Sequence, residues 1–561
     1  METLAAKPWV RCYEPGVPDT VEIPTHTLDQ SLRLAAEKYP GNIATIFFDQ
    51  KLTYRELDAA VTRFAAALQG LGVKKGDRVM LLLPNSPQFV ISFYGALRAG
   101  AVVVPTNPQY VPRELGYQAT DSGAETVIAL TLSWKTIKEA RSQTPFKRII
   151  LSNIKEYFPP VLRLLFTLTK EKKDGHRADV HGEPGIYDFQ TLLKGAGAFT
   201  PVENAQEDLA VLGYTGGTTG VSKGAMLTHR NLVAQAASTL AWFPTARAGQ
   251  EVFMGALPFF HSYALTCVLN AAVHLGSTMV IVPNPRELHT VLANASKHRV
   301  TYFPAVPTLY ASINNSPELS KFDLSSIRNC LSGGAPLPHE VQIEFERITG
   351  GQLVEGFGLT ETCSPVIANP LKGTRKIGTI GVPMPNTLAK LVDPDSGADL
   401  PPGQLGEIAI QSPQVMKGYW NRPDETAQAI RPDGFFLTGD LGTLDEDGFF
   451  TVVDRKKDMF LVGGFNVYPR EIEEVLYQNP KVLEAAVVGI PDVKRGENIK
   501  AFVVLKPGEQ ATPDEMIEYC RQHLTRYKVP REVEFRAALP KSLVGKILRR
   551  TLRDQELAGN K

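Results

Sequence analysis

The sequence predicts an α/β protein: a large N-terminal domain of two α/β halves plus a small β-barrel, followed by an α+β C-terminal domain. Three observations carry this. VMLLLP (79–84), FVISFYGALRAG (89–100) and AVVVPTNP (101–108) read as buried strand, apolar helix and buried strand, the βαβ unit of a parallel sheet. The plan returns at 252–285 as VFMGALP, YALTCVLNAAVHLG and STMVIVPNP, each crossover helix covering one face of a sheet that must be buried on both. From Ile377 to Gln411 short strands alternate instead with turns such as DPDSG and PPGQLG, which starts a β-rich subdomain at about 377–453.

Taken in order, a Pro-rich lead-in ends at Thr27, placed to cap the helix LDQSLRLAAEKYP, and ATIFFDQKLTYREL reads as strand, tight turn and helix start. Leu57, Val61, Phe64 and Leu68 recur at helical spacing and give that helix one apolar face. Between the halves, the segment 157–177 sets Leu162, Leu165, Phe166 and Leu168 ahead of Lys170, Lys172 and Lys173. An apolar stripe ending in lysines suits a lipid headgroup surface. The favoured expectation is a surface insertion packed on its own domain. After DRKKD (454–458), strands AAVVGIP and KAFVVLK alternate with helices REIEEVLYQ and PDEMIEYCRQHL, a unit of ordinary domain size. The expected division is therefore 1–456 and 457–561.

A chain of 561 residues is too long for one core. Sixty basic against fifty-nine acidic side chains leave no overall field for nucleic acid. Cys12, Cys267, Cys330, Cys363 and Cys520 are scattered without a C-x-x-C pair, which supports neither a disulfide framework nor a zinc site and fits a reducing cytoplasm. There is no apolar signal segment and no apolar run long enough to span a bilayer, so the expectation is a soluble or at most membrane-peripheral protein.

The chemistry centres on YTGGTTGVSKG (214–224). Gly216, Gly217 and Gly220 among Thr215, Thr218, Thr219 and Ser222, closed by Lys223, offer backbone N–H groups, hydroxyls and a cation to a polyphosphate. It is not a Walker A loop, because Lys223 is followed by Gly224. Alone, such a loop reads equally as a solvated hairpin, so the other motifs decide. SGGAP (332–336) and EGFG (355–358) each follow an apolar strand, at whose carboxyl end ligands bind. Small residues such as Gly334 and Gly356 admit a flat base, and Phe357 offers a ring to stack on it. Glu361 supplies a carboxylate suited to Mg²⁺ beside phosphate oxygens, and Asp440 in TGD fits a ribose diol. The segment 258–275 is apolar apart from His261, Ser262, Asn270 and His274. A channel of that character gains about 0.8 kcal/mol per substrate CH₂ buried.

The loop, PFFHSYAL (258–265), GFGLTE (356–361), TGD (438–440), DRKKD and PKSLVGKILRR (540–550) stand in the order typical of acyl-adenylate-forming enzymes. Over 27–553 the chain resembles the long-chain fatty-acid–CoA ligases of that superfamily. The resemblance implies ATP-dependent activation of a medium- to long-chain fatty acid to acyl-AMP with release of pyrophosphate, then transfer to coenzyme A. It implies Mg²⁺ held by Thr215 and Glu361, with Lys546 as the catalytic ammonium bridging the substrate carboxylate and the α-phosphate. Thr215, Gly216, Gly217, Thr218, Thr219, Gly220, Lys223, Gly334, Gly356, Phe357, Thr360, Asp440, Arg455 and Lys546 would surround the nucleotide. The C-terminal domain would be mobile about a hinge at Lys457, presenting Gly463 and Gly464 to the pantetheine arm. His261 and Leu265 would border the acyl pocket; His261 reads equally as a satisfied core histidine. The chain departs from the pattern at Phe357, where a tyrosine is usual, and at Leu265, where some members carry a tryptophan gate. Two other readings stay open: an adenylating ligase for another acid or acceptor, such as an aryl carboxylate or a carrier protein, and a silent nucleotide- or lipid-binding scaffold. Chain-length preference, pathway and oligomeric state are not readable, and no pattern marks a homodimer.

Overall fold

The computed structural model describes residues 7–215, 222–456, 458–462, 465–492, 496–542 and 547–559. The chain forms two compact units, Trp9–Leu388 with Gln411–Arg431, and Ala389–Ile410 with Pro432–Lys561.

In the first unit a seven-stranded sheet runs Ile186–Asp188, Arg148–Ser152, Thr126–Leu130, Arg78–Leu82, Val102–Pro105, Leu209–Thr215 and Lys223–Thr228. All neighbours are parallel except the last pair, an antiparallel hairpin. The expected βαβ unit lies at its centre. Its crossover helix Pro87–Arg98 starts at a Ser86 cap, whose hydroxyl accepts from the Phe89 N–H at 3.3 Å, and every one of its residues is buried. A helix apolar all round needs cover on all sides. Its outer side meets the second half: Phe89 contacts the Phe259 ring, and the Tyr94 hydroxyl donates to Asn270 Oδ1 at 2.9 Å.

The second half holds strands Val252–Gly255, Thr278–Ile281, Ile43–Phe47 and Gln50–Thr53, and a further sheet begins with the parallel pair Asn329–Ser332 and Gln352–Phe357. Bridges from Tyr302 to Phe253 and to Asn329 join the two. The hairpin at Phe48 and Asp49 turns with φ of +48° and +65°, the left-handed pair a two-residue hairpin needs. Thr53 then caps the helix Tyr54–Gly70 in a reciprocal box with Glu56. Although Ile43–Phe47 precedes the first βαβ unit in sequence, its register, Thr45 opposite Met279, places it in the second half's sheet. The helix expected at 263–276 contains a π-helical stretch, Leu265–Asn270.

The segment 157–177 lies at the surface and is held to its domain from one side. Its helix Pro160–Thr169 has no buried residue, and Val161, Leu164, Leu165 and Leu168 face outward. From its other side Phe166 meets Phe158 and His176, and the Thr167 hydroxyl accepts from the Lys155 ammonium. The period announced an amphipathic helix but not which side of it meets protein.

The second unit holds a five-stranded sheet, in the order Asp399–Leu400, Leu388–Val392, Gly406–Gln411, Phe436–Leu444 and Phe450–Arg455. It also holds a sheet of Phe465–Val467, Phe460–Val462, Gly496–Leu505, Val482–Asp492 and Glu532–Phe535. Helices Pro469–Gln478 and Pro513–His523 bury Ile472, Leu476, Met516 and Cys520 in a core with Val487, Ala501 and Val503.

Candidate active site

Strand Leu209–Thr215 carries the first two residues of the glycine-threonine motif, and Thr215 stands opposite Lys223 across the hairpin. Gly216, Gly217, Thr218, Thr219 and Gly220, like Lys457, Gly463, Gly464 and Lys546, lie outside the described residues. The base of the hairpin is fixed from several directions. The Tyr214 hydroxyl donates to Asp121 Oδ2 at 2.7 Å, Arg422 donates to Asp121 Oδ1 at 2.8 Å, and the Tyr117 hydroxyl donates to the Ser222 carbonyl at 2.7 Å. Burial and then Asp121 hold the Tyr214 phenol well above its ordinary range, so it remains a donor.

The turn Thr360–Thr362 packs against that strand. A Cβ at Gly213 would stand 2.6 Å from Thr360 Cγ2, so only glycine lets the two pass. Thr360 Oγ1 lies 3.2 Å from the hydroxyl of Ser262, beside His261. Glu361 is 7% exposed, and its carboxylate accepts from the Tyr419 hydroxyl at 2.9 Å. It is a buried group, not the surface glutamate that its neighbours in sequence would allow. The Tyr419 ring lies under Lys223, 5.2 Å from ammonium to centroid, and that ammonium is paired with Glu425. Burial, then Glu361 and Glu425, push the Tyr419 phenol upward, so it stays protonated as the donor to Glu361. A cation and a carboxylate thus share one aromatic support. Beyond Glu361 the backbone takes two left-handed residues in succession, Cys363 at φ +55° and Ser364 at φ +48°, strain of the kind that marks functional turns.

Ser332 pairs with Glu355 on the parallel strands, which brings Gly333–Gly334 and Gly356–Phe357 side by side. Gly334 has φ +84°, and Phe357 is half-buried. His261 Nδ1 accepts from the Tyr263 N–H at 3.3 Å, capping its own helix. Leu265 is buried at the head of the π-helical stretch. A small, mostly apolar cavity lies between that stretch and strand Asn329–Ser332, lined among others by Leu240, Phe243, Phe253, Cys267 and Leu331. Burial pushes the Cys267 thiol up to about 12.

In the second unit Asp440, 4% exposed, stands opposite Arg455 on the adjacent strand, Oδ1 to Nε 3.2 Å. Arg549, which the sequence leaves in a solvated basic tail, is instead clamped. Its guanidinium donates to Glu473, to Asp454 at 3.1 Å and to Asp458 at 3.2 Å, tying the C-terminal motif to DRKKD. Those carboxylates raise its already high pKa further against the opposing cost of burial.

Sequence reasoning missed Tyr419, Glu425, Arg422 and Asp121. For the first three the available signal was KGYWNRPDET (417–426), a run dense in aromatic and charged residues that leads into the helix Pro423–Ala429; nothing around Asp121, on the helix Pro112–Ser122, marks it.

The fold and this site define an adenylate-forming enzyme, and the chain belongs to the AMP-binding enzyme family, which matches residues 32–420, with the AMP-binding enzyme C-terminal domain matching 471–546. Among curated proteins it is 43% identical, over 98% of both chains, to a long-chain-fatty-acid–CoA ligase of Bacillus subtilis. It is 41% identical, again over 98% of both, to the enzyme of that name from Salmonella typhimurium. Among solved structures, ATP-bound MatB from Rhodopseudomonas palustris matches with a TM-score of 0.81 and 30% identity, over 96% of this chain and 100% of that one. The anthranilate CoA ligase AuaEII with anthranoyl-AMP matches with 0.82 and 27%, over 96% and 99%.

Proposed function

We propose that this protein is a fatty-acid–CoA ligase that works through an acyl-adenylate. A fatty-acid carboxylate attacks the α-phosphorus of ATP, the bond to pyrophosphate breaks, and acyl-AMP forms. The coenzyme A thiolate then attacks the acyl carbon and AMP leaves. The observation that carries the reading is Tyr419 holding the Glu361 carboxylate by its hydroxyl while supporting the Lys223 ammonium on its ring. Two like charges at about 4 Å repel by roughly 4 kcal/mol at an effective dielectric near 20, so adenylation needs fixed cations and hard oxygen donors together.

The Thr215 hydroxyl and the Glu361 carboxylate are ligands of the kind Mg²⁺ takes beside phosphate oxygens, and strand Leu209–Thr215 packs on the turn that carries Glu361. Bound there, Mg²⁺ would neutralise charge on the phosphates. Lys223 would exchange Glu425 for a phosphate oxygen, and residues 215–220 would hold the remaining oxygens through N–H and hydroxyl groups. Gly334, Gly356 and Phe357 would border the base, while Asp440 would accept from the ribose hydroxyls with Arg455 beside it. His261 and Leu265 would border the acyl chain. Lys546 would bridge carboxylate and α-phosphate, then withdraw about a hinge at Lys457 so that Gly463 and Gly464 admit the pantetheine arm. We place the enzyme in the cytoplasm, a reading supported by the unbridged, buried thiols of Cys267, Cys330, Cys363 and Cys520.

The test is incubation with MgATP and saturated fatty acids of increasing length, with and without coenzyme A, following AMP, pyrophosphate and acyl-CoA. Acyl-CoA formed in step with AMP is expected. Pyrophosphate exchange without thioester would point to another acceptor, and bound ATP without turnover to a silent scaffold. Lys546→Ala should abolish adenylation while sparing thioester formation from supplied acyl-AMP; equal losses in both steps would remove the hinge from the scheme.

A further inference from the structure

In a helix that packs on its own domain, the apolar positions i, i+3, i+4 and i+7 face the core. In Pro160–Thr169 those positions are Val161, Leu164, Leu165 and Leu168, and they are 73%, 61%, 52% and 73% exposed. The helix is nevertheless held firmly from its other side. The Phe166 ring meets Phe158 edge-on at 5.4 Å and His176 at 5.1 Å, and the Lys155 ammonium donates to the Thr167 hydroxyl at 3.1 Å. Just past the helix, the buried Glu171 pairs with Lys155 at 2.6 Å and accepts from Asn153 at 2.9 Å. These anchors fix the leucine stripe facing outward. Around it, the exposed charged side chains from Arg163 to Arg177 are Arg163, Lys170, Lys172, Lys173 and Arg177, against Asp174 alone.

We propose that this helix docks the protein on an anionic lipid surface, with the stripe in the acyl region and the lysines against headgroup phosphates. Ten residues give about 15 Å of helix, enough to lie in the interface and too short to cross a bilayer. Among the described residues no helix is long and apolar enough to cross a membrane. The rim decides the occupant. A second copy of this chain would bring the same cluster of lysines and arginines against this one, whereas headgroup phosphates complement it. The inference stands on the surface and not on the ligase reading, and a fatty acid partitions into the same phase.

The experiment is flotation of the full chain with vesicles of phosphatidylcholine alone or containing phosphatidylglycerol, at low and high salt. The wild type should float with the anionic vesicles and be released by salt. Leu164→Ser with Leu168→Ser should lower the bound fraction at least tenfold at unchanged Tm, because both side chains are already in solvent. Lys170→Gln, Lys172→Gln and Lys173→Gln together should remove the preference for anionic lipid. Equal flotation of the serine variant and the wild type, or no dependence on lipid charge, would overturn the proposal. So would a wild-type dimer, seen by sedimentation without lipid, that the serine variant dissociates, since the face would then belong to a second copy. Acyl-CoA formation from a short, water-soluble fatty acid should be unchanged in the serine variant, which separates failure at this surface from failure of the ligase reading.

Discussion

Substituting Gly213 by alanine tests the closest approach in the site. The new Cβ would meet Thr360 Cγ2 at 2.6 Å, with Leu227 Cδ1 next at 3.6 Å, so one methyl carries the whole clash. Relief requires Thr360 to retreat by most of an ångström, and Thr360 is tied to Ser262 and adjoins Glu361. Overpacking of this kind costs about 1–3 kcal/mol of stability. Misplacement of positioning groups on that scale costs up to about 100-fold in rate. Gly213→Ala should therefore lower Tm and reduce ATP–pyrophosphate exchange by at least tenfold. Thr360→Ser removes the offending methyl and keeps the hydroxyl facing Ser262, so the double variant should recover most of both losses. Their coupling is expected at about 1–2 kcal/mol. Measured by thermal unfolding and exchange kinetics in a full double-mutant cycle, additive losses, with no rescue by serine, would refute the reasoning.

Tyr419→Phe keeps the ring under Lys223 and removes the donor to the buried Glu361, which should cost about 1.5–3 kcal/mol of stability and slow adenylation; an unchanged melt and an unchanged Mg²⁺ dependence would count against it. Glu425→Gln frees the Lys223 ammonium for phosphate, and because the pair is partly exposed the expected gain is modest, a fall in KM for ATP of up to about fivefold in initial-rate measurements. His229 and His274 are both pushed down to about 4 by burial, His274 also by His26 nearby, and His229 Nδ1 accepts from the Leu28 N–H, which requires the neutral ring. Their folded pKa lies below the unfolded value, so the unfolded chain takes up protons first. Stability is then full above about pH 6.5 and lost towards pH 4, by up to about 3 kcal/mol per ring. Denaturant titrations on either side of that window should show a shallower loss for His229→Gln. Arg549→Met should destabilise the second unit by about 3 kcal/mol, since it strips a partner from Glu473, Asp454 and Asp458. Arg549→Lys should restore little, because one ammonium cannot reproduce the fork in a thermal melt.

What could be read from the sequence was local or contiguous. The cap at Thr27, the strand, turn and helix start over ATIFFDQKLTYREL, and the strand–helix–strand units at 79–108 and 252–285 follow from period and composition. The ordered motifs are unbroken runs whose chemistry is visible residue by residue, and they were enough to indicate the family. Tertiary structure decided the rest, because packing geometry brings together residues that no period links. Tyr419 reaches Glu361 across 58 positions and Arg422 reaches Asp121 across 301, so neither partner shows in a window of sequence. Ile43–Phe47 pairs on one side with its own hairpin strand and on the other with the distant strand 278–281, since a strand's apolar residues specify that it is buried but not beside which other strand. The helix Pro160–Thr169 makes the same point at the surface. Its spacing of leucines determined that one side would be apolar, and only the anchoring of Phe166 and Glu171 determined that this side would be turned to the solvent.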